Sequence, residues 1–250
     1  MDAVIEQNKP RVRVAAPAAT PCTSVFLNQR KTVTPAELVR SGSRVVVVAP
    51  HPDDEVLAIG ATLAALARSG HEILVVAVTD GEGSHPESTR WVPETLRACR
   101  PQESREALEC LGVPADILRL GLPDGAVALH EKRLAEQLPL GSYDTVFVPW
   151  RHDGHADHEA CARAALAACR IVGARCIEYP VWSLVPSHAA HAKLKRHQLQ
   201  QVSVDHAFIE AKRRAMNAFV SQVHPDGEAP AVLQPDALDT WRTTSEWLIA

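Results

Sequence analysis

The stretch RVVVVAPHPDDE, residues 44–55, joins a run of four valines to a turn of histidine, proline and carboxylates. An uninterrupted run of β-branched residues suits a strand that is covered on both faces, so Arg44 to Ala49 is predicted to be a buried strand. Apolar residues then recur at helical spacing, and a glycine suited to a helix end follows them: Ile59, Leu63, Leu66, Ala67 and Gly70. This stretch therefore predicts the strand, turn and helix that open a βαβ unit.

Four more apolar runs are predicted to be strands: Glu72–Val78, Asp116–Leu120, Thr145–Val148 and Arg175–Tyr179. Helical patterns lie between these runs, and such alternation is typical of α/β proteins. We expect a Rossmann-like, open, mainly parallel sheet with helices on both faces. Residues 43–250 are predicted to form this single domain. Residues 1–42, rich in proline, alanine and threonine, are predicted to be an N-terminal extension that is mobile or draped over the surface.

The composition excludes several classes of protein. A hydrophobic fraction of 46% and a charged fraction of 22% match ordinary globular usage. A net charge of -4, without a basic run, argues against nucleic-acid partners. No apolar window approaches the ~20 residues that span a bilayer, and the first residues do not read as a signal peptide. Because the six cysteines form no CxxC pair, we expect reduced thiols and a cytoplasmic protein.

The turn after the first predicted strand carries the first candidate metal ligands. In open α/β sheets, ligands bind outside the carboxyl ends of the strands. Three consecutive carboxylates in PHPDDE would repel a phosphate and attract a cation. His51 and Asp54, three residues apart at a helix start, can direct one imidazole and one carboxylate at an ion, which is half of a zinc site. The alternative is that these acids only complement the helix dipole.

A second loop, RHDGHADH at residues 151–158, follows the strand predicted at Thr145–Val148 and is expected at the same sheet edge. His158 would complete a set of His, Asp and His ligands, with His155 alongside. Three protein ligands leave the fourth position for water, as a catalytic zinc requires. An unbound core histidine is the alternative for His158. Asp157 either fixes the tautomer of a neighbouring histidine or caps the following helix.

HPDDE and HADH together resemble the PIG-L/LmbE-type family, which contains zinc-dependent deacetylases of N-acetylated amino sugars and related amides. The resemblance covers about Val45 to Tyr179. It implies that the metal is bound by His51, Asp54 and His158. Zn²⁺ is the expected ion, and iron(II), manganese or cobalt suit the same donors.

The same resemblance implies that Asp53 is the general base and that His155 faces the oxyanion and the leaving amine. Zinc lowers the pKa of water towards ~7, and Asp53 would accept the proton of the attacking water. The metal and a protonated His155 are expected to stabilise the oxyanion. The amine then needs a proton, which either His155 or Asp53 can deliver.

Three residues are candidates for substrate contacts. Asp124 lies in LPDG, residues 122–125, where a plain β-turn is the alternative to a hydrogen bond with a sugar hydroxyl. Trp150 and Trp182 fall in loops at the carboxyl ends of strands, where an indole packs either on a sugar ring or in the core.

We therefore expect a metal-dependent hydrolase that removes an N-acetyl or similar N-acyl group from a small molecule containing an amino sugar. The alternatives are an amidase that acts on a larger acyl group or a thiol conjugate, and a noncatalytic carbohydrate-binding protein on the same scaffold. A homo-oligomer is compatible with each of these functions.

Overall fold

The computed structural model describes residues 32–195 and 198–249. Eight strands form one sheet in the order β1-β7-β8-β6-β5-β2-β3-β4. They are β1 (Thr32–Val33), β2 (Val45–Ala49), β3 (Ile73–Ala77), β4 (Ala115–Arg119), β5 (Thr145–Pro149), β6 (Arg175–Tyr179), β7 (Leu199–Val202) and β8 (Glu246–Ile249). All pairings are parallel except those of β8, which runs antiparallel to β6 and β7. The expected open, mainly parallel α/β sheet is confirmed.

Helices cover both faces of this sheet. They are α1 (Pro35–Leu38), α2 (Asp54–Arg68), α3 (Pro93–Leu111), α4 (Glu131–Gln137), α5 (Ala156–Val172), α6 (His206–Ala215), α7 (Val220–Val223) and α8 (Pro235–Trp241). Val45 and Val47 of β2 pack into one buried cluster with residues of α2, α3 and α6. Val46 and Val48 point to the opposite face, into a cluster with α4 and α5. Within the described residues, no helix is long and apolar enough to cross a bilayer.

The expected boundary at residue 43 is wrong, because the fold already includes the residues before it. Thr32 and Val33 of β1 pair with Gln201 and Val202 of β7, and α1 follows them directly. Sequence reasoning also missed β7 and β8. The sequence LQQV of β7 has polar residues at its centre, and β8 begins with a glutamate that is unusual in a buried strand. β1 was missed as well, because a strand of two residues has no readable period. The rest of the predicted extension, residues 1–31, lies outside the described residues.

A buried ion pair ties the last strand to α2, the helix that follows the HPDD turn. The α2 backbone departs from helical angles at Ile59, with φ -133° and ψ 21°. Beyond this kink, the Glu246 carboxylate of β8 accepts the backbone N–H groups of Ala61 at 2.9 Å and Thr62 at 2.8 Å. Lys212 Nζ of α6 donates to the same carboxylate at 2.8 Å. Glu246 thus supplies the acceptors that the interrupted helix lacks.

Lys212→Met is expected to lower the free energy of unfolding by about 3–5 kcal/mol, the usual cost of removing one partner of a buried ion pair. Glu246 keeps its donors on α2, so the fold itself should survive. Urea denaturation measures the change. Lys132→Met is the matched control, because the Lys132 side chain is 91% exposed and lies 4.0 Å from Glu136. If Lys212→Met and Lys132→Met have the same urea denaturation midpoint, the buried pair of Lys212 and Glu246 does not stabilise the fold.

Candidate active site

The turn between β2 and α2 places the histidine and the aspartates of the HPDD motif on one side of the chain. The Asp54 carboxylate accepts the His51 backbone N–H at 3.0 Å, which folds the turn back on itself. The Asp53 carbonyl accepts the N–H groups of Val56 and Leu57, which starts the helix. Asp53 has φ 156° and ψ -29°, and it is the one non-glycine residue with positive φ in the described part of the chain. Unusual backbone angles of this kind concentrate at functional sites.

The structure brings the three predicted metal ligands to one point. Asp54 Oδ2 lies 3.3 Å from His51 Nδ1 and 3.2 Å from His158 Nε2, and the two nitrogens lie 3.3 Å apart. The centre of such a triangle is about 1.9 Å from each atom, close to the ~2.0–2.2 Å of zinc bonds to nitrogen and oxygen. Two imidazoles and one carboxylate are also donors that zinc accepts. These side chains therefore fit a metal ion.

A buried carboxylate, Asp153, orients His158 towards this point. Asp153 Oδ2 accepts a hydrogen bond from His158 Nδ1 at 2.9 Å, so the Nε2 lone pair faces Asp54. The same carboxylate accepts the backbone N–H groups of Val181, Trp182 and Ser183, which fixes it in place. Sequence reasoning missed Asp153. The available signal was a carboxylate in the same loop, five residues before His158.

Burial lowers the pKa of His158, but the Asp54 charge and the hydrogen bonds with Asp153 and Asp54 outweigh it and raise this pKa to about 9. Burial likewise lowers the pKa of His51, and contacts with Asp124, Asp157 and Asp54 raise it well above its usual value. Both imidazoles therefore hold protons tightly in the absence of a metal.

Two carboxylates orient His51 from its other side. His51 Nε2 donates to Asp124 Oδ1 at 3.1 Å and lies 3.4 Å from Asp157 Oδ2. The second oxygen of Asp124 accepts the Gly83 N–H at 2.8 Å. Asp124 also lines the cavity, and each of its oxygens keeps a lone pair beside these contacts, so the contact between Asp124 and a sugar hydroxyl stays a prediction. For Asp157, the structure favours the first alternative, with His51 as the neighbouring histidine.

The helix cap that Asp157 might have supplied comes from His155 instead. His155 is the N-cap residue of α5, and its Nδ1 accepts the Asp157 backbone N–H at 3.2 Å. The ring proton therefore lies on Nε2. Burial, followed by the positive charges of His158 and His51, lowers the pKa of His155 to about 4. The expected protonated His155 is therefore corrected to a neutral imidazole near pH 7, which can donate a hydrogen bond through Nε2.

Asp53 lines the same cavity and is held by Arg100 of α3. Arg100 Nη2 donates to Asp53 Oδ2 at 2.9 Å and to the Pro52 carbonyl at 3.1 Å, while Nη1 donates to the Gly81 carbonyl at 2.8 Å. Burial raises the pKa of Asp53 more than the Arg100 charge lowers it, and the pKa stands at about 7. A side chain at Gly81 would collide with the guanidinium, since a Cβ there would lie 1.9 Å from Nη1.

Sequence reasoning also missed Arg100. Arg100 is only 3% exposed, but α3 is a mostly polar helix. No spacing of residues along this helix predicts that the arginine is buried. The only residue in the sequence that hints at this contact is Gly81. Its φ of 66° and its closeness to Arg100 require a glycine there.

Arg100→Met is expected to raise the pKa of Asp53 above about 7, because it removes the charge that lowers it. The acidic limb of the kcat profile should move to higher pH, with a loss of about tenfold at pH 6.5 and a smaller loss at pH 9. Arg105→Met, on the exposed side of the same helix, is the control. If the acidic limb of the pH profile of kcat lies at the same pH in Arg100→Met and in the wild type, Arg100 does not set the charge state of Asp53.

The catalytic candidates share a cavity of about 320 Å³. Trp182 forms part of its wall and packs edge-on against Trp241, with ring centroids 5.5 Å apart. Trp150 does not line this cavity. It is 3% exposed, with its ring edge-on to His152 at 5.5 Å. The expected sugar-stacking role of Trp150 is therefore wrong, because the start of the loop turns this indole into the protein.

Comparisons with known proteins show the family of this chain. The PIG-L family profile, described as GlcNAc-PI de-N-acetylase, matches residues 46–169. The uncharacterized deacetylase YaiS of Escherichia coli K12 is 33% identical over 138 residues, covering 51% of this chain and 69% of YaiS. A 1D-myo-inositol 2-acetamido-2-deoxy-alpha-D-glucopyranoside deacetylase of Kineococcus radiotolerans is 38% identical over 85 residues, covering 33% of this chain. That match spans only 23% of the Kineococcus protein.

Among solved structures, the conserved protein TT1542 from Thermus thermophilus is similar with a TM-score of 0.58 and 24% identity. The superposition covers 83% of this chain and 94% of TT1542, which supports the fold alone. The family profile spans β2 to α5, and so includes both histidine-bearing loops. With the E. coli relative matched over more than two thirds of its length, the chain belongs to the PIG-L family of de-N-acetylases.

Proposed function

We propose that this protein is a metal-dependent hydrolase that removes an N-acetyl or similar N-acyl group from a small molecule containing an amino sugar. One observation carries the proposal: His51, Asp54 and His158 direct donor atoms 3.2–3.3 Å apart at one point of a cavity that Asp53 and His155 also line. The amino-sugar class is supported by the name of the Kineococcus relative, which describes an acetamido sugar.

Zinc held by His51, Asp54 and His158 would polarise the acyl carbonyl and lower the pKa of a water molecule, and iron(II), manganese or cobalt would suit the same donors. The remaining residues of the cavity then have separate tasks. Asp124, Asp157 and Asp153 hold the two imidazoles in the tautomers that leave a lone pair for the ion.

Asp53 is the general base. Its carboxylate is 5% exposed and is adjacent in sequence to the ligand Asp54, and Arg100 holds it in place. A pKa of about 7 lies close to the pH of the reaction, which is the best compromise between being ionised and binding a proton strongly. Asp53 therefore accepts the proton of the water that attacks the acyl carbon.

His155 stabilises the negative charge that develops on the acyl oxygen. Its Nδ1 already accepts a backbone N–H, so its Nε2–H is the group free to donate. Removal of one such donor typically costs about 3 kcal/mol in the barrier. The proton that the leaving amine needs comes either from Asp53, which accepted one in the preceding step, or from His155.

The test is acetate release from N-acetylglucosamine and from an N-acetylated aminoglycoside by the zinc-loaded protein, with both products identified by mass spectrometry. We expect free acetate and the free amine in equal amounts. Release of a larger acid from longer-chain amides, with no acetate, would support the amidase alternative instead. Zinc binding without hydrolysis of any N-acylated probe would contradict the catalytic proposal and favour the noncatalytic carbohydrate-binding alternative.

A further inference from the structure

Gln222 of α7 presents a polar atom to the active-site cavity. The residue lines this cavity although it is only 1% exposed. Its Nε2 donates to Ser221 Oγ at 2.8 Å and to Ser84 Oγ at 3.4 Å. The other amide atom, Oε1, has no hydrogen-bond partner among residues 32–195 and 198–249. An amide oxygen that reaches the cavity without a donor from the described residues can accept a hydrogen bond from a ligand.

The orientation of this amide follows from its neighbours. Ser221 Oγ donates its one proton to Glu103 Oε2 at 2.7 Å, and the Ser221 N–H donates to the other oxygen of Glu103 at 2.7 Å. Ser221 Oγ is then left only as an acceptor, so the Gln222 atom that faces it must be the NH₂ group. The amide oxygen therefore points away from Ser221 and is available to the cavity.

The backbone around Gln222 is also held in place. Its carbonyl accepts the Leu233 N–H at 2.9 Å, which joins the two ends of the loop between them. Within that loop, Asp226 accepts a hydrogen bond from Ser88 Oγ, from the segment that follows β3. A side chain fixed in this way loses little entropy when a ligand binds, so its hydrogen bond can discriminate between ligands.

Ser84 and Gln222 line the cavity, and its lining also includes the apolar side chains of Trp182, Val232 and Leu233. Asp53 and His155 serve the amide that is cleaved, so Ser84 and Gln222 are left for another part of the substrate. We propose that Gln222 Oε1 accepts a hydrogen bond from a ring hydroxyl of the amino sugar and so selects hydroxylated sugars. This inference rests on the proposed deacylation of amino sugars. It adds a specificity-determining residue from outside the segment that matches the family profile.

The test compares zinc-loaded wild type and Gln222→Met on N-acetylglucosamine and its 3-, 4- and 6-deoxy analogues. In the wild type we expect kcat/KM for one analogue to fall by about 10- to 100-fold, because Oε1 is then left without its donor. In Gln222→Met, that analogue and the parent sugar should differ by less than about threefold. Gln137→Met, at the exposed end of α4, should keep the wild-type discrimination.

Equal discrimination in wild type and Gln222→Met would overturn the inference, as would a wild type that treats all four sugars alike. Binding of the same sugars to Asp53→Asn, measured by calorimetry, separates this inference from the proposed function. If no acetate is released but binding discriminates through Gln222, the role of Gln222 stands and deacetylation of these sugars fails. If the sugars are neither bound nor cleaved, both proposals fail.

Discussion

Asp53→Asn is expected to lower kcat by about 10²- to 10⁴-fold while the zinc content stays at the wild-type level. Asparagine keeps the size of the side chain but cannot accept the proton of the attacking water. Asp53 contacts Arg100 rather than the three candidate ligand atoms, so its replacement should leave them in place. Steady-state kinetics together with metal analysis of the purified variant measure both quantities.

The pH profile adds a second readout to this prediction. Because the pKa of Asp53 is raised to about 7, wild-type activity should fall as the pH decreases through that value and the base is protonated. Asp53→Asn should lose this limb, since no group titrates at the position. Asp239→Asn, on the exposed side of α8, is the control and should keep the wild-type kcat and the wild-type dependence of kcat on pH. Full activity of Asp53→Asn would place the base elsewhere, and loss of zinc from it would identify Asp53 as a ligand.

The sequence predicted the convergence of the two histidine-bearing loops because parallel strands impose it. β2 and β5 are neighbours in the sheet, and both turns leave the same carboxyl edge. Spacing within each loop is a local property, and the common carboxyl edge of parallel strands does not depend on their order. The direct pairing of β2 with β5, which brings His51 next to His158, is a property of the folded sheet. The predicted strand Arg44–Ala49 agrees with β2, Val45–Ala49, to within one residue, since four consecutive valines fit a strand buried on both faces.

The residues that hold the site could not be predicted in the same way. Arg100 reaches Asp53 from a helix 47 positions away, and Asp153 gains its role from backbone N–H groups at the end of β6 and beyond. Both interactions depend on how elements pack, which residue spacing does not encode. Trp150 and Trp182 show the same limit, because both follow strand ends and only Trp182 faces the cavity.

Binding of zinc is expected to release protons and to strengthen steeply with pH. In the metal-free protein the pKa of His158 is raised to about 9 and that of His51 is also raised, so His158 carries a proton at pH 7 that a metal ion must displace. A metal ion needs both imidazoles as neutral ligands. We expect the zinc affinity to rise about tenfold per pH unit for each proton released, between about pH 6.5 and 9. Calorimetry in buffers of different ionisation enthalpy counts the protons directly.

Asp153→Asn provides the matched test of this linkage. It removes the charge that helps to raise the pKa of His158, so fewer protons should be released at pH 7. It also weakens the hydrogen bond that orients His158, so zinc should bind about 10- to 100-fold less tightly. Asp144→Asn offers a control with a buried carboxylate that pairs with Arg44, away from the site. A zinc affinity that does not change with pH in the wild type would contradict the proposed ligand set.

The stability of the metal-free protein should depend on pH in the opposite direction. The pKa of His158 is higher in the folded protein than the usual 6.5, so its protonation stabilises the fold fully below pH 6.5. This contribution is lost as the pH rises through about 9. Zinc, in contrast, stabilises the fold more as the pH rises, because its affinity increases. The Tm of the metal-free protein should therefore fall between pH 6.5 and 9 while the gain from added zinc grows. If plots of Tm against pH run parallel with and without zinc, protons and metal do not compete for these imidazoles.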